Sequence, residues 1–204
     1  MLLSFDVVPD AVEEHDHWHT QEHLPERLSI PGFLRGTRWV AQDAQPRYFV
    51  MYEVESLDTL TSAAYLERLN KPTPWTTKMM AHYRGMGRGF CTASQSIGAG
   101  IAKAAIFLRF QPEAVRAAAP PGLASTPGIN GVHSFEAKVA PPATNEQRLR
   151  GTDAPFGSAL LVTGYEAARV EALMRSELGA ARGAAGVTGG SYRLAYSLTA
   201  QDVA

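Results

Sequence analysis

Residues 15–27 read His15-Asp16-His17-Trp18-His19-Thr20-Gln21-Glu22-His23-Leu24-Pro25-Glu26-Arg27, which gathers most of the chain's 6 histidines into one short stretch. On a helix, positions three and four apart are neighbours, so His15, His19, Glu22 and Glu26 fall near one face with His23 adjacent. An imidazole held in a partly apolar pocket titrates near neutrality and can give or take a proton. His23 is therefore the candidate acid/base, with Glu22 or His19 as its orienting neighbour. Trp18 is a large ring in an otherwise polar segment and is expected to be buried as a wall of the same pocket. His15 and His17, flanked by Glu13, Glu14 and Asp16, read as a solvated face. The spacing His19-x-x-Glu22-His23 also matches a zinc-peptidase pattern. That pattern needs a regular helix and a distant third ligand. Pro25 follows too closely, and no acidic helix elsewhere offers the ligand, so neither a metal nor a cofactor is assigned.

Candidates outside this stretch are fewer. Trp75, His82 and Tyr83 follow a proline-rich loop and are placed to cover a pocket mouth, with Trp75 and His82 taken as substrate contacts. Arg35 and Arg38 lie on opposite faces of a strand, and Arg38 is the one assigned to an anionic substrate group. Tyr48 and Tyr52 share a strand face, where the Tyr52 phenol could orient a carbonyl. Gly85-x-Gly87-x-Gly89 lacks the spacing and the following helix of a dinucleotide loop and reads as a bulged strand. The one cysteine, Cys91, falls in that strand, which excludes an internal disulfide framework.

The elements that must hold these residues follow a simple order. Leu2–Val8 is a short apolar strand. Residues 11–29 form a helix-compatible segment that Pro25 should kink or restart. Ile30-Pro31-Gly32 is a turn. Phe33–Gln42 and Arg47–Glu55 are hairpin strands, Ser56–Leu69 is a serine-capped helix, and Tyr83–Ser94 closes the half. The second half repeats the grammar. Ala104–Phe110 is a strand, Pro112–Ala119 a weak helix, and Thr126-Pro127-Gly128 echoes the earlier turn. Val132–Val139 and Ser158–Tyr165 are strands, Glu166–Leu178 a helix and Ser191–Leu198 a last strand. Pro141–Pro155 reads as a long exposed loop. The expected fold is α+β: two tandem ferredoxin-like βαββαβ units, residues 1–97 and 98–204, with antiparallel sheets packed face to face.

Trp18-His19-x-x-Glu22-His23-Leu24-Pro25, followed by Ile30-Pro31-Gly32-Phe33, resembles the first helix and second strand of the dimeric α/β-barrel superfamily. Within it the pattern looks most like the EthD-like branch, with a tryptophan, a His-x-Pro element and a Pro-Gly turn. Members include cofactor-independent monooxygenases, isomerases, polyketide cyclases and haem-handling proteins, so the fold does not select an activity. The resemblance implies a small-molecule protein working by histidine acid/base chemistry, as an isomerase, cyclase or monooxygenase. The alternatives are a non-catalytic ligand-binding module and a haem- or metal-binding protein. The second half lacks both the tryptophan and the His-x-Pro element, which places the site in the first half and leaves the second as structural support.

The 204 residues are 45% hydrophobic and 19% charged, with a net charge of -1. That balance gives no electrostatic footprint for nucleic acid or an anionic membrane. No apolar run approaches the roughly 18 residues of a membrane span, and residues 1–6 lack a secretion-signal pattern, so a cytoplasmic protein is expected. Its partner is a small molecule. Two halves in one chain need no second copy, although a homodimer is compatible with the pattern.

Overall fold

The computed structural model describes residues 1–115 and 119–203. Eight strands, β1 Leu2–Val7, β2 Phe33–Ala41, β3 Tyr48–Val54, β4 Tyr83–Gly98, β5 Ala104–Phe110, β6 Ile129–Lys138, β7 Ser158–Gly164 and β8 Val187–Thr199, run in the order β1-β3-β2-β8-β5-β7-β6-β4. Each is antiparallel to its neighbours, and β4 returns to β1, so the sheet closes into a barrel.

The expectation of two ferredoxin-like sheets packed face to face is thereby corrected: there is one closed eight-stranded antiparallel barrel. The reason lies in the strand edges. An open edge leaves a row of unpaired N–H and C=O groups, and closure removes it. β4 and β8 are longer than apolar alternation suggested, and each spans both halves of the chain. β4 pairs with β1 at Leu2↔Gly89 and, further on, with β6 at Ile97↔Val132. β8 pairs with β5 at Phe107↔Gly190 and with β2 at Thr37↔Ser197. The halves are therefore joined by backbone hydrogen bonds at both seams.

Period-two alternation divides the apolar residues among three cores. Leu2, Trp39, Phe49, Phe107, Leu161 and Tyr192 point into the barrel. There Phe49 stacks on Phe107 with ring centroids 3.9 Å apart and on Trp39 at 4.9 Å, which plugs the middle of the barrel. Leu3, Phe5, Val50 and Tyr52 face outward under α1 Val12–Trp18, α2 Leu24–Leu28, α3 Ala63–Asn70 and α4 Pro74–Met80. Ile106, Leu108, Leu160 and Val162 face outward under α6 Ala167–Ser176.

Local chemistry explains smaller departures. Helix α3 starts after Ser62, whose hydroxyl accepts from Tyr65 N–H at 3.3 Å, rather than at Ser56, which leads into a 3₁₀ turn. Residues 141–155 are not plain loop: α5 Asn145–Arg150 forms there, with Gln147 Oε1 accepting from Thr144 N–H at 2.8 Å. Another short helix, α7, covers Gly179–Arg182. The helix expected over Pro112–Ala119 falls in part on residues 116–118, outside the described residues; Pro112–Val115 before them is not helical. Both X-Pro-Gly turns place their glycine at positive φ, +88° at Gly32 and +95° at Gly128, where a Cβ would be strained.

Phe107 has no exposed surface and sits in the aromatic plug. Phe107→Ala is expected to lower unfolding stability by about 3–5 kcal/mol, read from urea denaturation midpoints.

Candidate functional site

The segment from Val12 to Leu28 is helical throughout, and Pro25 does not interrupt it. The chain winds into a π turn over His19–His23, with Leu24 N–H bonded to His19 C=O. Such a turn takes up one extra residue. Because Pro25 offers no N–H, the wider winding relocates the hydrogen bonds that an α-helix would have lost there. It also changes which side chains align. Four residues overshoot one α turn of about 3.6, whereas the wider turn nearly closes over four. The His19 and His23 rings lie tilted beside each other, 5.3 Å between centroids, as do His15 and His19 at 5.4 Å.

Beneath these rings lies a small, partly open cavity between the helices and the outer face of β1, β3 and β4. It is lined by His19, His23, Arg27, Tyr52, Tyr83 and Arg88, by apolar Leu3, Met80 and Met86, and by Glu146 and Arg150 of α5. About 20 Å³ is open to water centres, room for about one or two waters. The Nδ1 atoms of His19 and His23 and the Tyr52 hydroxyl are buried without a hydrogen-bond partner. Unpaired buried polar atoms are costly, and all three belong to residues that line the cavity.

Arg27 is the dominant charge. Its Nη2 donates to Glu146 Oε2 and its Nη1 to Glu26 Oε2 at 3.3 Å. Burial opposes the guanidinium charge, but Glu146, Tyr65, Tyr52 and Glu26 together outweigh it and raise the Arg27 pKa. Arg68 reaches Glu26 at 3.2 Å. On the far side, Asp153 holds Arg150 Nη2 at 2.9 Å and lies 3.2 Å from Arg88 Nε. Helix α5 is thus clamped over the cavity by ion pairs.

Burial drives the pKa values of His19 and His23 well below the usual imidazole range, with His23 and Arg38 adding to the effect at His19 and Arg27 at His23. Both are neutral bases at pH 7. Burial likewise raises the Tyr52 and Tyr83 phenols, which stay protonated. Behind Tyr83 runs a chain of contacts: Tyr83 OH to His15 Nε2 at 3.2 Å, and His15 Nδ1 to Asp16 Oδ1 at 3.2 Å. Asp16 is about one-third exposed, so the chain connects the cavity wall to solvent.

The sequence candidates divide. His19, His23 and Tyr52 line the cavity. Trp18 is fully buried against His23, with centroids 4.4 Å apart. Glu22 faces other partners: its Oε1 accepts from Trp18 Nε1 at 3.1 Å, Thr73 Oγ1 at 2.6 Å and Thr76 Oγ1 at 3.3 Å, tying the π turn to α4. Arg38 donates to Asp16 C=O at 3.2 Å and Thr20 Oγ1 at 3.0 Å, holding the helix to β2. Trp75 donates to Glu14 Oε1 at 3.2 Å and packs on His17. His82 is half-buried, and its C=O accepts from Val8 N–H. None of Trp18, Glu22, Arg38, Trp75 and His82 lines the cavity, so the expectation of Trp18 and Trp75 as pocket walls is corrected. His15 is fully buried rather than solvated; the four-residue steps from His15 to His19 and from His19 to His23 are the signal in the sequence. Reading the sequence missed Arg27, Arg88, Glu146 and Arg150, whose partners are too distant in the chain to leave a local pattern.

No family model matches the chain, and no curated protein does. The finer EthD-like resemblance thus has no family match behind it. Solved structures do match over nearly the whole length. An anthrone oxidase-like protein shares 12% identity at a TM-score of 0.61, covering 100% of this chain and 93% of its own. A protein named provisionally as a monooxygenase from Fusobacterium nucleatum shares 8% at 0.53, covering 97% and 92%. Another so named, from Lactobacillus acidophilus, shares 9% at 0.52, covering 98% and 94%. The chain therefore shares the overall fold of these proteins. Among the described residues, no helix is long and apolar enough to cross a membrane.

Two outcomes follow from this geometry. Glu146→Gln leaves the Arg27 charge buried with a neutral partner and is expected to cost about 3–5 kcal/mol, measured by chemical denaturation. His15, His19 and His23 have lowered pKa values in the folded protein, so below the unfolded value of about 6.5 the unfolded chain binds more protons. Stability is then full above about pH 6.5 and is lost as the pH falls from there toward the folded values. The urea midpoint should be lower at pH 5.5 than at pH 7.5, and His23→Gln should shrink that difference.

Proposed function

We propose that the protein is a cofactor-independent enzyme that takes a proton from a small, largely apolar carbonyl or phenolic substrate and lets the resulting carbanion react with dioxygen. The observation that carries this reading is the pair of neutral, buried imidazoles whose Nδ1 atoms lack partners beside the Arg27 guanidinium. The names of the structural neighbours favour oxygenation over isomerisation or cyclisation.

In this mechanism His23, with His19 beside it, accepts a proton from an activated CH₂ group. Arg27 and the Tyr52 hydroxyl stabilise the negative charge delocalised onto the substrate oxygen. The carbanion gives its electron pair to O₂ and a C–O bond forms. The peroxide takes the proton back from the imidazolium, then loses water to leave a new carbonyl. One CH₂ and one O₂ thus give one C=O and one H₂O, with no metal or flavin in the balance. Tyr83, His15 and Asp16 offer a route for proton exchange with solvent. A substrate larger than a few atoms enters only when α5 moves away, separating Glu146 from Arg27.

Incubation with anthrone in air is expected to consume one O₂ per substrate and yield the quinone without added cofactor. His23→Ala should lower kcat by at least about 100-fold with an unchanged far-UV circular dichroism spectrum. Unaltered turnover in that variant would sink the mechanism. The small size of the cavity favours one other reading, a binding module whose ligand replaces α5. Tight binding with no product by mass spectrometry would select it.

A further inference from the structure

The barrel has a second concavity, remote from the helices. At one mouth, above the aromatic plug, a cup of about 320 Å³ lies among Met51 of β3, Ala93 of β4, Phe135 of β6 and Leu161 and Thr163 of β7, with Ile101 at its edge. Leu161 belongs to the barrel core, so the cup is blind rather than a channel. Its volume lies within the range of small-molecule sites, roughly 300–1,000 Å³, and its lining has their character: mostly apolar, with a few polar groups.

Those polar groups are specific. Thr163 is 2% exposed, and its hydroxyl has no hydrogen-bond partner. A buried hydroxyl left unpaired is costly, a cost that a ligand atom would remove. His133 projects from β6 beside it, its Nδ1 2.7 Å from Ser96 Oγ. Gly131 makes room for both: a Cβ there would stand 2.7 Å from Thr163 Oγ1 and 2.7 Å from His133 Nε2. The missing methyl group thus leaves the hydroxyl and the imidazole clear of the strand. At the rim, Arg35 and Glu53 sit 3.8 Å apart, both partly exposed, a loose pair that adds little net charge.

We infer that this cup is a binding site for an uncharged, mainly apolar small molecule carrying one hydrogen-bonding head, which meets Thr163 and His133 while its body lies on Met51, Phe135 and Leu161. The site is separate from the histidine cavity: none of its lining residues is shared with it. It is also independent of whether that cavity is catalytic.

The test uses 1-aminoanthracene, an uncharged fluorophore with a single amine head that brightens in apolar surroundings. Titration of the full chain should give saturable, one-to-one enhancement. Ala93→Trp, at an exposed strand position on the rim, fills the cup and should abolish the enhancement. Thr163→Val keeps the volume but removes the head's partner and should weaken binding by about five- to tenfold. His23→Ala, in the other cavity, should leave binding unchanged. Absence of saturable binding, or equal binding by Ala93→Trp, would overturn the inference. If Ala93→Trp does not fold, Thr163→Val decides, and unchanged affinity there overturns it as well.

Discussion

Every strand in this protein must find two hydrogen-bonding neighbours, and that requirement organises the rest of the molecule. It is met by β4 and β8, each long enough to pair with strands from both halves. Closure fixes which residues face the aromatic plug and which face the helices, because side chains alternate along every strand. Tyr52 and Tyr83 therefore present their phenols outward to the helical layer, while Phe49 and Phe107 seal the interior. The position of the cavity is a consequence of that parity.

Onto this scaffold the helical layer adds a π turn and charge. The π turn costs regular hydrogen bonding but aligns His19 with His23, and Trp18 packs against the second ring. Arg27, one turn further on, would be untenable without a carboxylate, and the carboxylate comes from the other half of the chain. The ion pairs of α5 close the space and keep bulk water away from imidazoles held neutral by burial. Each feature works only because the others exclude solvent.

Much of this was legible in the sequence, and the limits have physical causes. Strand alternation, the two X-Pro-Gly turns and the burial of Trp18 depend on local periodicity and composition, which a sequence displays directly. Closure depends on how far β4 and β8 extend; the far end of β4 is polar and exposed, and the start of β8 carries Gly189 and Gly190, so apolar alternation stops before the strands do. His19 and His23 were visible as a cluster. His15 was misjudged because its acidic neighbours suggested solvent, whereas a helix can bury one residue and expose the next. Pro25 suggested a break because an α-helix was the assumed alternative, and the π turn escapes that choice. Arg27 and Glu146 are 119 residues apart, and nothing local in either segment marks its partner.

The clamp of α5 over the first-half cavity has a consequence for how such a protein can change. In an assembly of identical subunits, a substitution appears on both sides of the symmetry axis, so any gain at one site is imposed on the other. Here both halves of the barrel belong to one chain, and a substitution falls once. One half could keep its buried histidines while the other put an apolar core under α6 and turned a connecting segment into a cover for its neighbour. Having both halves in a single chain thus frees each from having to resemble the other, and the asymmetry between a side with buried histidines and a side with an apolar core is open to selection.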